Sequence, residues 1–237
     1  MAVFSGPEII NNGLVLHLDA ANPRSYSGSG TSWNDLSGNG NNGTLINSVQ
    51  YVLDNKGAMV FDGTDDYVTI SHNANNFINT NYTWSLWVYG RHSTAGGITH
   101  NMPDFGYGSS SWGRLGFREI NNVWQWMMYN GSGPDNNIVL DVGQSSNADW
   151  IFLTIVADYS NTQIRGYYNG NFSSSVNRFT DTSGNSGSLG LGRAGSTFAG
   201  WNEVFLGKTS QFSVYNRALT QLEIKQNFES TRGRYGI

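Results

Sequence analysis

Three carboxylates lie close together in the stretch FDGTDDYVTI (residues 61–70), at Asp62, Asp65 and Asp66. The stretch joins two strand-like runs, AMVF and YVTI, and Asp62-Gly63 is a strong turn signal between them. Asp65 and Asp66 are adjacent, so in an extended chain their side chains would point in opposite directions and would not act as a pair. We therefore predict a structural turn, with a contribution to a metal or ligand site as the alternative.

The pattern of acidic residues argues against glycoside hydrolysis. Retaining glycosidases need two carboxyl groups roughly 5 to 5.5 Å apart. Residues on one face of a strand occur at every second position, so such a pair on one strand would be two acidic residues separated by one other residue. The chain has no E-x-D-x-E pattern, and Glu119, Glu203, Glu223 and Glu229 are each isolated. We predict that the protein is not an enzyme. A glycoside hydrolase remains an alternative, because catalytic partners can also converge from distant strands.

Other chemical motifs are weak. GNGNNG (residues 38–43) fits G-x-G-x-x-G formally, but the strand-like run TLINSVQYV follows it, so no helix N-terminus is expected there to hold a phosphate. The sequence contains no G-x-x-x-x-G-K, H-E-x-x-H or G-x-S-x-G. The four histidines, His17, His72, His92 and His100, are dispersed, which does not favour a histidine-based metal or acid-base site.

Composition indicates a single all-β domain with many turns. Of the 237 residues, 30 are glycine, 14% are aromatic and only 13% are charged. A formal charge of -4 without a basic run excludes nucleic acid as a partner. The sequence has no cysteine, no signal-peptide pattern at MAVFSGPEII and no apolar run long enough for a membrane span, so membrane insertion is not expected.

Alternating apolar residues mark the strands that position any site. The predicted inward residues are Leu14, Leu16 and Leu18 in GLVLHLDA, and Tyr82, Trp84, Leu86 and Val88 in YTWSLWVYG. VWQWMMY and DWIFLTIVADY are apolar on both faces, which is typical of central strands. Asn169-Gly170 predicts a hairpin turn in RGYYNGNF.

One short C-terminal helix is predicted in ALTQLEIKQNF. Thr220 and Glu223 fit a capping box, and Leu222, Ile224 and Phe228 follow near helical spacing. Residues 1–12 form a predicted N-terminal arm before the domain proper, residues 13–237. Apolar residues in this arm favour strand addition to the sheet edge of a neighbour, with packing back on its own domain as the alternative.

Three motifs carry a family resemblance. WNDLSGNGNNGTL, FDGTDDYVTI and VYNRALTQLEI, in this order, resemble the laminin-G-like, concanavalin A-like jelly-roll family over residues 14–228. The resemblance implies a two-sheet antiparallel β-sandwich that binds glycans or proteins. Two further segments, GLVLHLDAANPRSY and STRGRYGI, are similar to single-domain members among tailed-bacteriophage structural proteins.

The phage resemblance implies a virion surface protein, either a head decoration or a tail-fibre component. Its expected partners are other virion proteins, further copies of itself as a homo-oligomer, and a cell-surface glycan. Such a protein would be made in the host cytoplasm without a signal peptide. The alternatives are a secreted bacterial carbohydrate-binding module and a glycoside hydrolase of the same fold.

A glycan groove is predicted around an aromatic-rich stretch, because indole and phenol rings stack on the C–H faces of sugars while polar groups take the hydroxyls. The candidate ligand-binding residues are Trp112, Tyr107, Asp104, Trp124 and Trp126. Trp112, in a loop rich in glycine and serine, is the strongest of these. Core packing is the alternative for Trp124 and Trp126.

The resemblance also implies a calcium site at the rim of the sandwich, since calcium takes six to eight oxygen ligands. The candidate ligands are Asp19, Asp35, Asp62 and Asp65. Ser210 and Gln211 stand where relatives often carry an acidic pair before the last strand, and this departure counts against the metal.

Overall fold

A computed structural model describes residues 8–70, 80–90, 100–105, 113–130, 138–177, 189–193 and 204–237. In chain order its strands are β1 (Leu14–Asp19), β2 (Ser32–Trp33), β3 (Gly43–Ile46), β4 (Gln50–Val52), β5 (Ala58–Asp62), β6 (Tyr67–Ile70), β7 (Tyr82–Gly90), β8 (His100–Phe105), β9 (Gly113–Ile120), β10 (Val123–Asn130), β11 (Ile138–Gln144), β12 (Ser146–Asp158), β13 (Gln163–Tyr168), β14 (Asn171–Val176), β15 (Leu189–Leu191) and β16 (Leu206–Tyr215). The helix α1 spans Gln221–Thr231.

The strands form two antiparallel sheets that enclose one main core. Sheet A has the order β14-β13-β12-β7-β16-β5-β4, with β1 also paired to β16, and sheet B has the order β11-β10-β9-β8-β15-β6-β3-β2. Both sheets contain eight strands, and all named pairings are antiparallel. The predicted all-β, two-sheet sandwich with one short C-terminal helix is confirmed.

The inward faces follow the predicted alternation with one exception. Tyr82, Trp84, Leu86 and Val88 of β7 all lie in the core between the sheets, as do Leu16 and Leu18 of β1. Leu14 instead packs in a smaller cluster beside α1, because a register shift between Leu14 and Leu16 turns the strand there. The strands β10 and β12 each lie between two neighbours, which confirms them as interior strands.

The predicted turns are present, but one of them has a different role from a hairpin. Asn169 and Gly170 have φ values of 49° and 73° and close the β13–β14 hairpin as predicted. The turn at Asp62-Gly63 instead connects β5 of sheet A to β6 of sheet B. It therefore carries the chain from one layer of the sandwich to the other.

The outer face of sheet A is covered by α1 and the residues that follow it. The predicted capping box is confirmed: the Thr220 hydroxyl accepts from the Glu223 amide while the Glu223 carboxylate accepts from the Thr220 amide. Of the three apolar residues near helical spacing, Ile224 and Phe228 are buried, whereas Leu222 is 82% exposed. A second aromatic cluster under this cover contains Trp87, Trp150, Phe152, Phe228 and Tyr235.

The described part of the N-terminal arm packs on the protein's own helix. The Ile10 amide donates to Asn227 Oδ1 at 2.8 Å, and the Gln226 side chain donates to the carbonyl of Glu8 at 2.9 Å. Residues 1–7 lie outside the described residues, so strand addition by that part of the arm stays a prediction. Within the described residues, no helix is long and apolar enough to cross a membrane.

Candidate functional site

A hydrogen-bonded row of polar side chains crosses three neighbouring strands on the outer face of sheet B. Arg118 of β9 and Asp141 of β11 both lie directly opposite Gln125 of β10 in the strand registers. Arg118 Nε donates to Gln125 Oε1 at 2.9 Å, and Gln125 Nε2 donates to Asp141 Oδ1 at 2.6 Å. We call Arg118, Gln125 and Asp141 the polar row.

Strand alternation explains why these side chains face outwards. Trp124 and Trp126 flank Gln125 and lie in the core, and Leu140 and Val142 flank Asp141 in the same way. With strands about 4.8 Å apart, the row spans roughly 10 Å from β9 to β11. No described helix packs on this face, whereas α1 covers the outer face of sheet A.

Apolar and backbone groups lie beside the polar row. Val139 of β11 lies opposite Met127 of β10, two residues from the pair formed by Asp141 and Gln125. Val139 is 42% exposed. Gly116 lies opposite Met127, and the backbone of Asp104 in β8 lies opposite Gly116. The predicted residue Asp104 thus belongs to a strand next to the polar row, one step further across the sheet.

The other predicted ligand-binding aromatics do not form a groove in the described structure. Trp124 and Trp126 are fully buried between the sheets, where Trp126 makes edge contacts with Trp84 and Phe117 at 5.1 and 5.0 Å. Their rings are therefore part of the core and offer no face to a ligand, which corrects their assignment as binding residues. Trp112 and Tyr107 lie outside the described residues.

The acidic turn (residues 62–66) brings three carboxylates together. Oxygens of Asp62, Asp65 and Asp66 lie within 4.8 Å of one another. The expectation that Asp65 and Asp66 point apart was wrong, because the chain bends through residues 63–65 and is not extended there. Two of the predicted metal ligands, Asp62 and Asp65, thus meet at one rim of the sandwich, together with Asp66, which was not among the predicted ligands.

The pKa values of Asp62 and Asp66, at the two ends of the acidic turn, shift in opposite directions. Asp62 accepts from the amides of Thr64 and Asp65, and these backbone hydrogen bonds lower the pKa of Asp62. Burial raises the pKa of Asp66, and the nearby charges of Asp62 and Asp65 add to that rise. The Asp66 carboxylate accepts from the Ser48 and Asp62 amides. A hard cation would find carboxylate oxygens here and would relieve their mutual repulsion.

Asp19 is already paired within the protein and is not available as a metal ligand. The Arg234 guanidinium donates to both Asp19 oxygens at 2.7 and 2.9 Å, and Gln211 Nε2 donates to Oδ2 at 2.8 Å. Burial alone would raise the pKa of Asp19, but the hydrogen bonds and charge of Arg234 hold it below its ordinary value. This pairing corrects the assignment of Asp19 to a metal site.

Asp35 organises the loop that lies along the free edge of β1. Its carboxylate accepts from the amides of His17, Ser37 and Asn41 and from the Ser37 hydroxyl. The Asn41 side chain donates to the carbonyl of Val15 at 2.7 Å. All of these donors are internal, and the carboxylates of the acidic turn are in a different cluster, so Asp35 does not contribute to it.

The polar row was missed by sequence reasoning. Its signal was present as single polar residues between core positions, with Gln125 inside VWQWMMY and Asp141 inside IVLDVGQ. What the sequence lacked was the register that places these residues opposite one another across strands.

Two face-to-face antiparallel sheets around one main core define the protein as a β-sandwich. A laminin G-type family model, described as the concanavalin A-like lectin/glucanases superfamily, matches residues 62–225. The match covers more than half of the chain, so the protein belongs to this family. No curated protein matches the sequence.

Solved structures of toxin binding domains share the fold. The binding domain of Paraclostridial Mosquitocidal Protein 1 has a TM-score of 0.71 and 19% identity, covering 93% of this chain and 52% of that one. A structure of botulinum neurotoxin type C, whose cell entry depends on two ganglioside molecules, has a TM-score of 0.70 and 14% identity, covering 94% and 52%.

The binding domain of botulinum neurotoxin DC in complex with rat synaptotagmin II has a TM-score of 0.70 and 16% identity, again covering 94% and 52%. The protein therefore spans about half the length of each of these structures. At such identities the likeness shows the fold alone.

Proposed function

We propose that the protein is a non-enzymatic module that binds a neutral glycan on a host surface through the outer face of sheet B. The observation that carries this proposal is the polar row, which presents a guanidinium, an amide and a carboxylate in one line. Sugar hydroxyls both donate and accept, and these three groups supply both kinds of partner. The exposed Val139 beside the row offers an apolar contact for the C–H face of a sugar ring.

The charges of the row favour a neutral ligand. Arg118 and Asp141 carry opposite charges at the two ends of the row, with the uncharged Gln125 between them. Their charges offset each other over roughly 10 Å, so a strongly anionic polysaccharide gains little net attraction. Hydrogen bonding and shape, rather than charge, would then determine selectivity.

Binding without catalysis is supported by the carboxylates of this face. Among the side chains that the structure describes on the outer face of sheet B, Asp141 is the single carboxylate. Retaining and inverting glycosidases both need two such groups flanking the scissile bond. Glu119 of β9 is 1% exposed and accepts from the Ser145 hydroxyl, so it does not face this surface.

The similar toxin structures support a role in surface recognition. Two of the three are binding domains, and the named partners are gangliosides for the type C toxin and synaptotagmin for the DC toxin. The shared part is about half of each toxin structure, so the comparison supports a binding module in general and names no ligand for this protein.

We further infer that the module is carried on a phage particle, as a head decoration or tail-fibre component. The support is the similarity of GLVLHLDAANPRSY and STRGRYGI to phage structural proteins, together with the contact between these segments through Asp19 and Arg234. Mass spectrometry of purified particles tests the inference. Detection in culture medium but not in particles would favour a secreted carbohydrate-binding module instead.

Glycan binding is tested with matched galactans. We expect the protein to bind neutral agarose-derived oligosaccharides more tightly than the sulfated carrageenan series, as measured by calorimetry. Gln125→Ala removes the centre of the polar row and should weaken binding by roughly tenfold. Gln163→Ala is the matched control, since Gln163 also donates its side-chain amide across strands, to Asn177, but in sheet A. Equal effects of the two substitutions, or no binding by the folded wild type, would refute the site.

A further inference from the structure

The last residues of the chain fill a site on the outer face of sheet A with two side chains. Arg234 forms a two-pronged ion pair with Asp19, and the Tyr235 ring stacks on Trp87 with ring centres 3.9 Å apart. The Tyr235 ring also lies 5.0 Å from that of Trp150. We call residues 233–237 the C-terminal tail, and Asp19, Asn55, Trp87 and Trp150 the tail site.

The tail site is organised by residues that do not belong to the tail. Asn55 accepts from the Trp150 indole at 2.8 Å and donates to the carbonyl of Arg234 at 3.0 Å. Gln211 holds the second oxygen of Asp19, and Thr231 accepts from the Trp87 indole at 2.9 Å. Strands, the turn between β4 and β5 that carries Asn55, and α1 therefore hold the pocket for the arginine and the aromatic surface for the tyrosine in position.

The tail itself adds nothing to either sheet. Both sheets are complete without it, and it follows the end of α1. A Cβ atom added at Gly233 or at Gly236 would meet no atom within 4 Å, so both glycines border open space. Gly236 also has a φ of 75°, in the region that favours glycine. The tail continues from α1 through a 3-10 turn at Arg232–Arg234, and it contacts the sheet through the side chains of Arg234 and Tyr235.

The buried carboxylate and the two indole rings of the tail site favour an arginine followed by an aromatic residue. Asp19 is 6% exposed, so a carboxylate left there without a cation would be strongly disfavoured. The forked guanidinium of arginine matches its two oxygens, and the indole rings of Trp87 and Trp150 match an aromatic side chain at the next position. A tail of the same sequence on a second copy of the chain meets all of these requirements.

We propose that the tail site is an assembly contact, in which two copies of the protein exchange their C-terminal tails. Exchange requires the 3-10 turn at Arg232–Arg234 to open. Once extended, residues 233–235 span roughly 10 Å at about 3.4 Å each, so exchange brings the C-terminal ends of two α1 helices together. Reciprocal exchange gives a closed two-fold pair. In dilute solution each tail occupies its own site, because tethering gives it a high effective concentration there.

A complementation experiment tests the exchange. The acceptor is the chain with residues 234–237 deleted, which keeps the site and loses the tail. The donor is full-length Asp19→Asn, which keeps the tail and weakens its own site. Each alone should be monomeric in analytical ultracentrifugation, and the mixture should form a heterodimer. A control mixture, in which the donor also carries Arg234→Gln and Tyr235→Ala, should stay monomeric.

A peptide experiment decides the case in which the donor variant fails to fold. The peptide GRYGI, with its N-terminus acetylated, should bind the acceptor and quench its tryptophan fluorescence, but should not bind the wild type. Replacing the peptide arginine with glutamine should weaken binding by roughly tenfold or more. A folded acceptor that binds neither the peptide nor the donor would overturn the proposal. So would an acceptor that cannot fold at all.

Discussion

Glu223 at the start of α1 should contribute stability that disappears in acid. Its carboxylate accepts from Arg217 Nη2 at 2.6 Å and Nη1 at 3.0 Å, and it also closes the capping box on Thr220. The Arg217 hydrogen bonds lower the pKa of Glu223 to about 2 from its ordinary 4.5, against a smaller opposing effect of burial. We expect Glu223→Gln to loosen α1, the element that covers sheet A.

The expected loss follows from the two pKa values. If the whole difference between a pKa of about 2 and one of 4.5 contributed to stability, the contribution of Glu223 would be about 3.5 kcal/mol, since one pKa unit corresponds to about 1.4 kcal/mol. The side chain is 25% exposed, so solvent screening reduces the expected loss to about 1–2 kcal/mol. For a domain of this size that loss lowers the Tm by about 2–8 °C.

The pH dependence distinguishes this explanation from simple helix damage. The folded pKa of Glu223 is lowered, so its contribution is complete above about pH 4.5 and is lost as the pH falls towards about 2. Urea unfolding of wild type and Glu223→Gln, from pH 7 to pH 2.5, should therefore show curves that converge in acid.

The matched control is Glu229→Gln in the same helix, where Glu229 pairs with Lys225 and Arg232 on the surface. We expect no measurable change in unfolding free energy for this variant. An equal loss in both variants, or a Glu223→Gln loss that stays constant with pH, would refute the reasoning.

Three further predictions follow from other sites. Burial lowers the pKa of His17, although Asp19 and Asp35 act in the opposite direction and Arg234 reinforces the burial effect. Wild-type stability should therefore fall as the pH drops below about 6.5, and His17→Gln should remove that slope in urea titrations. Calcium bound at the acidic turn, at a hundredfold excess over its Kd, should raise the unfolding free energy of the protein by about 2.7 kcal/mol. Thermal melts with calcium and with a chelator should then differ, and Asp65→Asn should abolish the difference. Reducing-end assays on β-glucans, agarose and carrageenan should detect no turnover; turnover lost on changing a single Asp or Glu would show the protein to be a glycanase.

The fold was predictable because its signals are local. The alternation in YTWSLWVYG, the Asn169-Gly170 turn and the capping box at Thr220 each depend on residues within one element, and all three are present. The same alternation placed Leu14 on the wrong face, because the strand irregularity at that point depends on the pairing of β1 with β16. Local pattern thus determined which segments are strands, but not every side-chain direction.

The candidate site depended on contacts that no single segment contains. Gln125 becomes part of a polar row only when β9 and β11 flank β10 in the observed register. Asp19 was a plausible metal ligand until Arg234, 215 residues away, was found to pair with it. Trp124 and Trp126 lie in a strand that is apolar on both faces, so periodicity alone could not separate core packing from a binding surface.

The loop on the free edge of β1 has a consequence for how copies of the protein can crowd together. An unpaired strand edge is a template for another chain, and exposed edges promote aggregation. Here the His17 amide and the carbonyls of Val15 and His17 are already bound, by Asp35, Asn41 and the Leu36 amide. A neighbouring molecule therefore finds few free hydrogen-bonding groups along β1, and copies held at high local density can touch there without their sheets fusing into one.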